Sequence, residues 1–136
     1  MAIPVLLVGA FLGVAITGGL FRSAREEHSF NQTLVRVAER VNKTLPKTLD
    51  ADTRLDSVSA GPAKKFTYFY TLPNQSKSEL DAAQIQNALR PNIVAAYKTN
   101  EDLKDFRDHN VEMHYRYSDK NGQFLFEIVV ASKDLK

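Results

Sequence analysis

Residues 111–130 read VEMHYRYSDKNGQFLFEIVV, and the alternation in this stretch decides the fold class. Val111, Met113, Tyr115 and Tyr117 alternate with Glu112, His114, Arg116 and Ser118; beyond Asn121-Gly122, Phe124, Phe126, Ile128 and Val130 alternate with Leu125, Glu127 and Val129. A period of two sends one set to a buried face and the other to the opposite face of a sheet. Asn-Gly is the preferred pair for a two-residue hairpin loop, because both central residues of that turn need positive φ. With Asn121 and Gly122 central, Tyr117 faces Phe126, Tyr115 faces Ile128, Met113 faces Val130 and Arg116 faces Glu127. Apolar residues then meet apolar ones, and opposite charges pair across the strands. A register moved by one residue would turn a whole face inside out, so this agreement specifies a hairpin.

Upstream, KKFTYFYTL (residues 64–72) reads as a second strong strand with Phe66, Tyr68, Tyr70 and Leu72 on one face. It follows a weaker strand, TRLDSVSA (residues 53–60), across a Gly61-Pro62 turn. Phe30, Leu34, Val37, Val41 and Leu45 recur at helical spacing and lay one apolar stripe on a helix that ends at Pro46. The other side of that helix carries Arg36, Glu39, Arg40 and Lys43 and reads as solvated. After Pro73-Asn74, Ser76 or Ser78 supplies a helix start. The helical stretch carries Leu80, Ile85, Leu89, Ile93, Val94 and Tyr97, with Pro91 kinking or dividing it. Asn100 opens a short helix bearing Leu103 and Phe106. The resulting expectation is an α+β fold of order α-ββ-αα-ββ: a four-stranded antiparallel sheet with helices on one face, of the general cystatin-like kind.

The chain has 136 residues, 43% hydrophobic and 25% charged, with no Cys and no Trp. That is one domain of ordinary globular composition, which excludes collagen-like, disordered and disulfide-scaffold classes. A net charge of +2 is too mild to suggest a nucleic-acid partner. Charge is unevenly placed, however: the first charged side chain is Arg22. Residues 2–21, AIPVLLVGAFLGVAITGGLF, are apolar or small throughout, and about 20 such residues in a helix span a hydrocarbon core of ~30 Å. A single N-terminal transmembrane helix is therefore expected, dividing the chain into an anchor (1–22), a juxtamembrane segment (23–29) and an α+β domain (30–136). Gly9 and Gly13 form GxxxG, and with Thr17 and Gly18 they offer a small-residue face for self-association or for packing on other membrane-protein subunits within lipid. A cleaved signal peptide is the competing reading, weakened by the lack of Lys or Arg before the apolar run. Arg22 and Arg25 after the run place the domain on the cytoplasmic side of an inner membrane by the positive-inside rule.

Chemistry is hard to find in this chain. His109 and His114, near Asp105, Asp108 and Glu112, match neither a helical ligand pair nor a closed zinc motif, so no metal or other cofactor is expected. No GxSxG elbow is present, and beyond the first stretch the glycines are Gly61 and Gly122, too few for a phosphate-cradling loop. FTYFY beside Lys64 and Lys65 invites comparison with an aromatic RNA-binding sheet, but the element order and the basic-Gly-aromatic signature are both missing. No enzymatic activity is expected. The better interaction candidate is the predicted polar sheet face, where Phe69, Leu125 and Val129 join His114, Arg116 and Glu127 as a partner patch.

VNKTLP (residues 41–46), DADTRLDSVSAGP (50–62), FTYFYTL (66–72) and SDKNG (118–122) together resemble a group of small, mostly uncharacterised bacterial envelope proteins. These pair an N-terminal signal or anchor with a compact α+β domain. The resemblance spans most of residues 34–135 and implies an envelope-associated protein, without a catalytic residue to carry over. Similar sequences have two cysteines able to form a disulfide; this chain has Tyr97-Lys98 and Asp134-Leu135 in those neighbourhoods. The functional expectation is a membrane-anchored, non-catalytic accessory or scaffolding subunit of a larger bacterial membrane assembly. The alternative is a membrane-tethered module binding a small ligand or peptide through the hydroxyls of Tyr68, Tyr70 or Tyr115.

Overall fold

A computed structural model describes residues 24–135. The first helix, α1 (Ala24–Asn42), buries Phe30, Leu34, Val37 and Val41 of the expected stripe together with Ala38, while Leu45, the stripe's last member, lies beyond the helix end and is half-buried. Strands β1 (Lys47–Asp50), β2 (Thr53–Gly61) and β3 (Lys65–Thr71) follow, then α2 (Ala82–Thr99), α3 (Lys104–Asp108) and the strands β4 (Glu112–Ser118) and β5 (Phe124–Val130). The sheet runs in the order β1-β2-β3-β4-β5.

Three expectations need correction. The sheet has five strands, not four: KTLD folds back on β2 through Ala51-Asp52, with Asp50 paired to Thr53 and the Asp50 carboxylate accepting from the Asp52 N–H at 2.7 Å. The sheet is also mixed, since β3 and β4 pair in parallel while every other neighbour pair is antiparallel. A tight hairpin forces antiparallel neighbours, but the long connection through α2 and α3 returns the chain to the starting end of β3, and a parallel pair requires such a crossover. Finally, the single transmembrane helix does not stand as part of this fold: among the described residues no helix is long and apolar enough to cross a membrane. The segment that suggested one, residues 2–21 with Gly9, Gly13, Thr17 and Gly18, lies outside the described residues.

Local signals explain most boundaries. Helix α2 starts at Asp81, whose carboxylate accepts from the Gln84 N–H, and not at Ser76 or Ser78; Ser76 precedes a short 3-10 turn (Lys77–Glu79) and Ser78 lies within it. Pro91 sits inside α2 without dividing it. Asn100 caps the following 3-10 turn through the Asp102 N–H, as its position suggests.

The expected β4–β5 register is observed pair for pair, from Met113 opposite Val130 to Tyr117 opposite Phe126, yet the loop that produces it differs. Gly122 N–H bonds to Asp119 C=O and Asp119 N–H to Gln123 C=O, so Lys120 and Asn121 are the central turn residues and Gly122 follows at φ 81°. Ser118 then pairs with Phe124, and Leu125 is the extra residue of a β-bulge that restores the register.

One sheet face and the helices close a single core. Its centre is aromatic: Tyr68 stacks on Tyr115 with ring centroids 5.2 Å apart, Tyr70 on Tyr117 at 4.7 Å and Tyr117 on Phe126 at 4.9 Å. Phe106 from α3 meets Phe66 edge-on at 5.2 Å, and Tyr97 from α2 donates to the Val111 carbonyl at 2.7 Å. In-register pairing of β3 with β4 and of β4 with β5 aligns these rings in rows, the cross-strand contact that stabilises a sheet.

Candidate functional site

The sheet face turned away from the core is built from the alternate residues of the same strands. Register sets them in rows. Thr67, His114 and Val129 form one row, and Phe69, Arg116 and Glu127 the next. Five of the six residues singled out from the sequence, Phe69, His114, Arg116, Glu127 and Val129, therefore lie together. The sixth is displaced by the bulge: Leu125 is only 7% exposed and belongs to the core cluster, whereas Phe124, expected in the core, is 42% exposed and pairs with Ser118 in the outer-face set. A bulge adds one residue and so reverses the inside-outside assignment beyond it, which alternation alone does not reveal.

The polar groups of this face are organised. The Arg116 guanidinium lies 4.3 Å from the Phe124 ring centroid, a cation–π contact, and 3.7 Å from Glu127 Oε2. His114 is buried between two carboxylates: Glu112 Oε1 lies 2.7 Å from its Nε2, and Glu127 Oε1 lies 3.4 Å from its Nδ1. The Thr71 hydroxyl donates to Asp56, whose other oxygen bonds Arg54 Nε at 2.5 Å. The result is a sheet surface of paired charges around half-buried Phe69 and Val129 and exposed Phe124.

Side chains also occupy the sheet edges. On β2, beyond the reach of β1, Asn42 holds both backbone groups of Val58: Nδ2 donates to its carbonyl and Oδ1 accepts from its N–H, each at 2.8 Å. On β5, the carbonyls of Glu127 and Val129 accept from Gln86 Nε2 at 3.3 Å and Arg90 Nη1 at 2.9 Å. Such capping blocks further strand addition at those positions.

At one end of the sheet, Asp119 ties the loops together. Its carboxylate accepts from the N–H groups of Lys77, Asn121 and Gln123 at 2.8–2.9 Å, while Lys120 N–H reaches the Gln75 carbonyl. The Lys77 N–H foremost, with those of Gln123 and Asn121, holds the Asp119 carboxyl below its usual range. The sequence marks Asp119 only as part of SDKNG; its role as a hub depends on the distant Lys77 N–H, which no local pattern announces.

Among the described residues, no group of three or more His, Cys, Asp or Glu could hold a metal ion. His109 caps the C-terminal end of α3 and stacks on Phe30 with centroids 3.9 Å apart, whereas His114 lies on β4 between Glu112 and Glu127. Tyr68, Tyr70 and Tyr115, the expected lining of a ligand cleft, are wholly packed into the core.

The fold is similar to that of three solved bacterial structures. A candidate secreted protein from Pseudomonas aeruginosa superposes with a TM-score of 0.68 at 9% identity, over 85% of this chain and 100% of that one. EpsS, the pilotin of the Vibrio vulnificus type 2 secretion system, gives 0.66 at 10% identity, covering 84% and 98%. The type II secretion system pilotin AspS from Vibrio cholerae gives 0.60 at 13% identity, covering 82% and 96%. Among curated proteins none matches the chain significantly in sequence. The expectation of a single-pass inner-membrane protein with its domain leaning to the cytoplasm is corrected on two findings. No helix among the described residues is long and apolar enough to cross a membrane, and the similar folds are those of a candidate secreted protein and of secretion pilotins. In sequence, residues 29–126 match the model of a domain of unknown function, DUF8479, and the chain belongs to that family.

Proposed function

We propose that this domain is a non-catalytic accessory protein of a bacterial secretion assembly, acting in the manner of a pilotin by holding a protein partner. The observation that carries the reading is the fold: the whole α-βββ-αα-ββ unit, and not one motif of it, superposes on two type II secretion pilotins. The outer sheet face is the partner surface in this reading. Phe69, Phe124 and Val129 supply apolar contact, and Arg116, Glu127 and His114 supply directional pairing around them.

Two measurements test this. Tagging the protein in its native host and purifying it in mild detergent brings down secretion-assembly components, and deleting the gene lowers export of proteins that use that assembly. The variants Phe124→Asp and Val129→Asp weaken the co-purification while leaving the melting temperature near that of the wild type. Normal export in the deletion strain, together with a lone protein on purification, refutes the proposal.

A further inference from the structure

His114 lies on the outer sheet face yet is only 6% exposed, and both of its ring nitrogens meet acids. Nε2 is 2.7 Å from Glu112 Oε1, a full hydrogen bond, whereas Nδ1 is 3.4 Å from Glu127 Oε1 and makes no hydrogen bond. A neutral imidazole carries a single N–H, and carboxylates only accept. The short contact takes that N–H to Glu112 and leaves the Nδ1 lone pair facing the Glu127 oxygen with no proton between them. Glu127 has a second claimant on its other oxygen, the Arg116 guanidinium at 3.7 Å, which itself rests 4.3 Å from the Phe124 ring centroid. One line of contacts therefore runs from a buried imidazole through Glu127 and Arg116 to an exposed ring. The other charged groups nearby are placed elsewhere: Lys65 of β3 is in register with Glu112, and Arg90 of α2 donates to the Val129 carbonyl at 2.9 Å and lies 3.6 Å from Asp134.

We infer that His114 is a proton-operated switch that moves Glu127 between Arg116 and itself, and so sets how freely the Arg116 guanidinium is offered on the outer face. A proton taken up at Nδ1 turns the facing lone pair into an N–H. The imidazolium then donates to both acids, and a charge-assisted bond of this kind closes to about 2.7–2.9 Å. Glu127 is drawn inward by it and away from Arg116, whose contact with Glu127 is the longer of the two. Arg116 keeps its place against Phe124 and is left with N–H groups to give to an anionic group of a partner. Loss of the proton sets lone pair against carboxylate again, and Glu127 returns to neutralise Arg116. Histidine is the side chain whose charge changes in this way between about pH 5 and 8. The use of the switch in binding rests on the reading of the outer face as the partner surface; the movement of Glu127 is a property of the free chain.

The test is an NMR titration of the full chain in mild detergent between about pH 8 and about pH 5.5. The His114 ring protons, the Glu127 side-chain carboxyl carbon and the Phe124 ring protons should shift together with one midpoint. In His114→Gln, which keeps a donor toward Glu112 but takes up no proton, the step at Glu127 and Phe124 is lost. In Glu127→Gln, His114 still titrates but Phe124 no longer follows it. A His114 that titrates while Glu127 and Phe124 stay still overturns the inference, as does a His114 that keeps one protonation state throughout, or a Glu127 step that survives in His114→Gln. The wild-type titration decides the matter even where a variant fails to fold. Partner capture is read separately: secretion-assembly components should be held more tightly at the lower pH than at the higher, and His114→Gln should abolish the difference. Coupled shifts in the free chain with equal capture at both pH values leave the switch standing and refute the outer face as the partner surface.

Discussion

Raising the pH above 10 should unfold this domain abruptly, and the size of the effect follows from its five tyrosines. All five, Tyr68, Tyr70, Tyr97, Tyr115 and Tyr117, are buried in one cluster, and burial is the largest cause that pushes each phenol above its ordinary pKa. The folded state therefore keeps protons that the unfolded state releases from about pH 10 upward. The sign is unambiguous: stability is complete below the unfolded pKa and falls as pH rises beyond it. Each phenol removes about 1.4 kcal/mol per pH unit, so five together remove about 7 kcal/mol by about pH 11. A domain stable by about 5–15 kcal/mol does not survive much beyond that point. The chain lacks Trp, so near-ultraviolet absorbance reports tyrosinate cleanly. The expected record is little tyrosinate through the range where free tyrosine ionises, then a single steep rise coincident with loss of far-ultraviolet circular dichroism. Gradual ionisation centred near pH 10 with the dichroism unchanged would show that the phenols are accessible, and would refute the buried aromatic core.

Four further outcomes test other parts of the structure. Asn42→Ala leaves the N–H and C=O of Val58 unpaired at the β2 edge, and should lower stability by about 1–2 kcal/mol in urea unfolding; a change under about 0.3 kcal/mol means the edge is not held by this side chain. Ala63 adopts φ 59° in the β2–β3 turn, so Ala63→Gly should raise stability by roughly 0.5 kcal/mol, the left-handed penalty less the added freedom of the unfolded chain; a loss of stability contradicts the turn conformation. Asp119→Asn should lower stability at neutral pH and flatten its decline in acid. The wild-type carboxyl, held below its usual range, contributes stability above the unfolded pKa near 4 and loses it as pH falls through the lower folded value, so parallel acid limbs for the two proteins would count against the Lys77 contact. Leu125→Ala should cost about 2–3 kcal/mol and Phe124→Ala under about 1 kcal/mol, the reverse of what simple alternation implies; equal costs would remove the bulge.

What the sequence disclosed and what it withheld divide along a physical line. The β4–β5 register was legible because each pairing is constrained twice, by apolar side chains meeting in the core and by Arg116 meeting Glu127 outside it. The stripe of α1 and the Asn100 cap were legible for the same reason, since spacing and residue type agree within one turn. Strand β1 was not legible, because KTLD is too short to show a period and pairs only through its turn to β2. The parallel β3–β4 pair was hidden because alternation fixes which face a residue occupies but not which strand lies beside it. For the outer face, alternation brought together Phe69, His114, Arg116, Glu127 and Val129, yet it failed at Leu125, two residues past a turn closed by Asp119 and Gln123 and tied to Lys77 far away in the chain. The bulge also changes what the outer sheet face carries. An exposed Phe124 under the Arg116 guanidinium places an aromatic ring at the rim of the face where a Leu at the same level would have been buried, and aromatic and Arg side chains are the kind that dominate binding energy at protein interfaces. The same bulge that keeps the core in register thus brings an aromatic ring to the surface beside the Arg116 guanidinium.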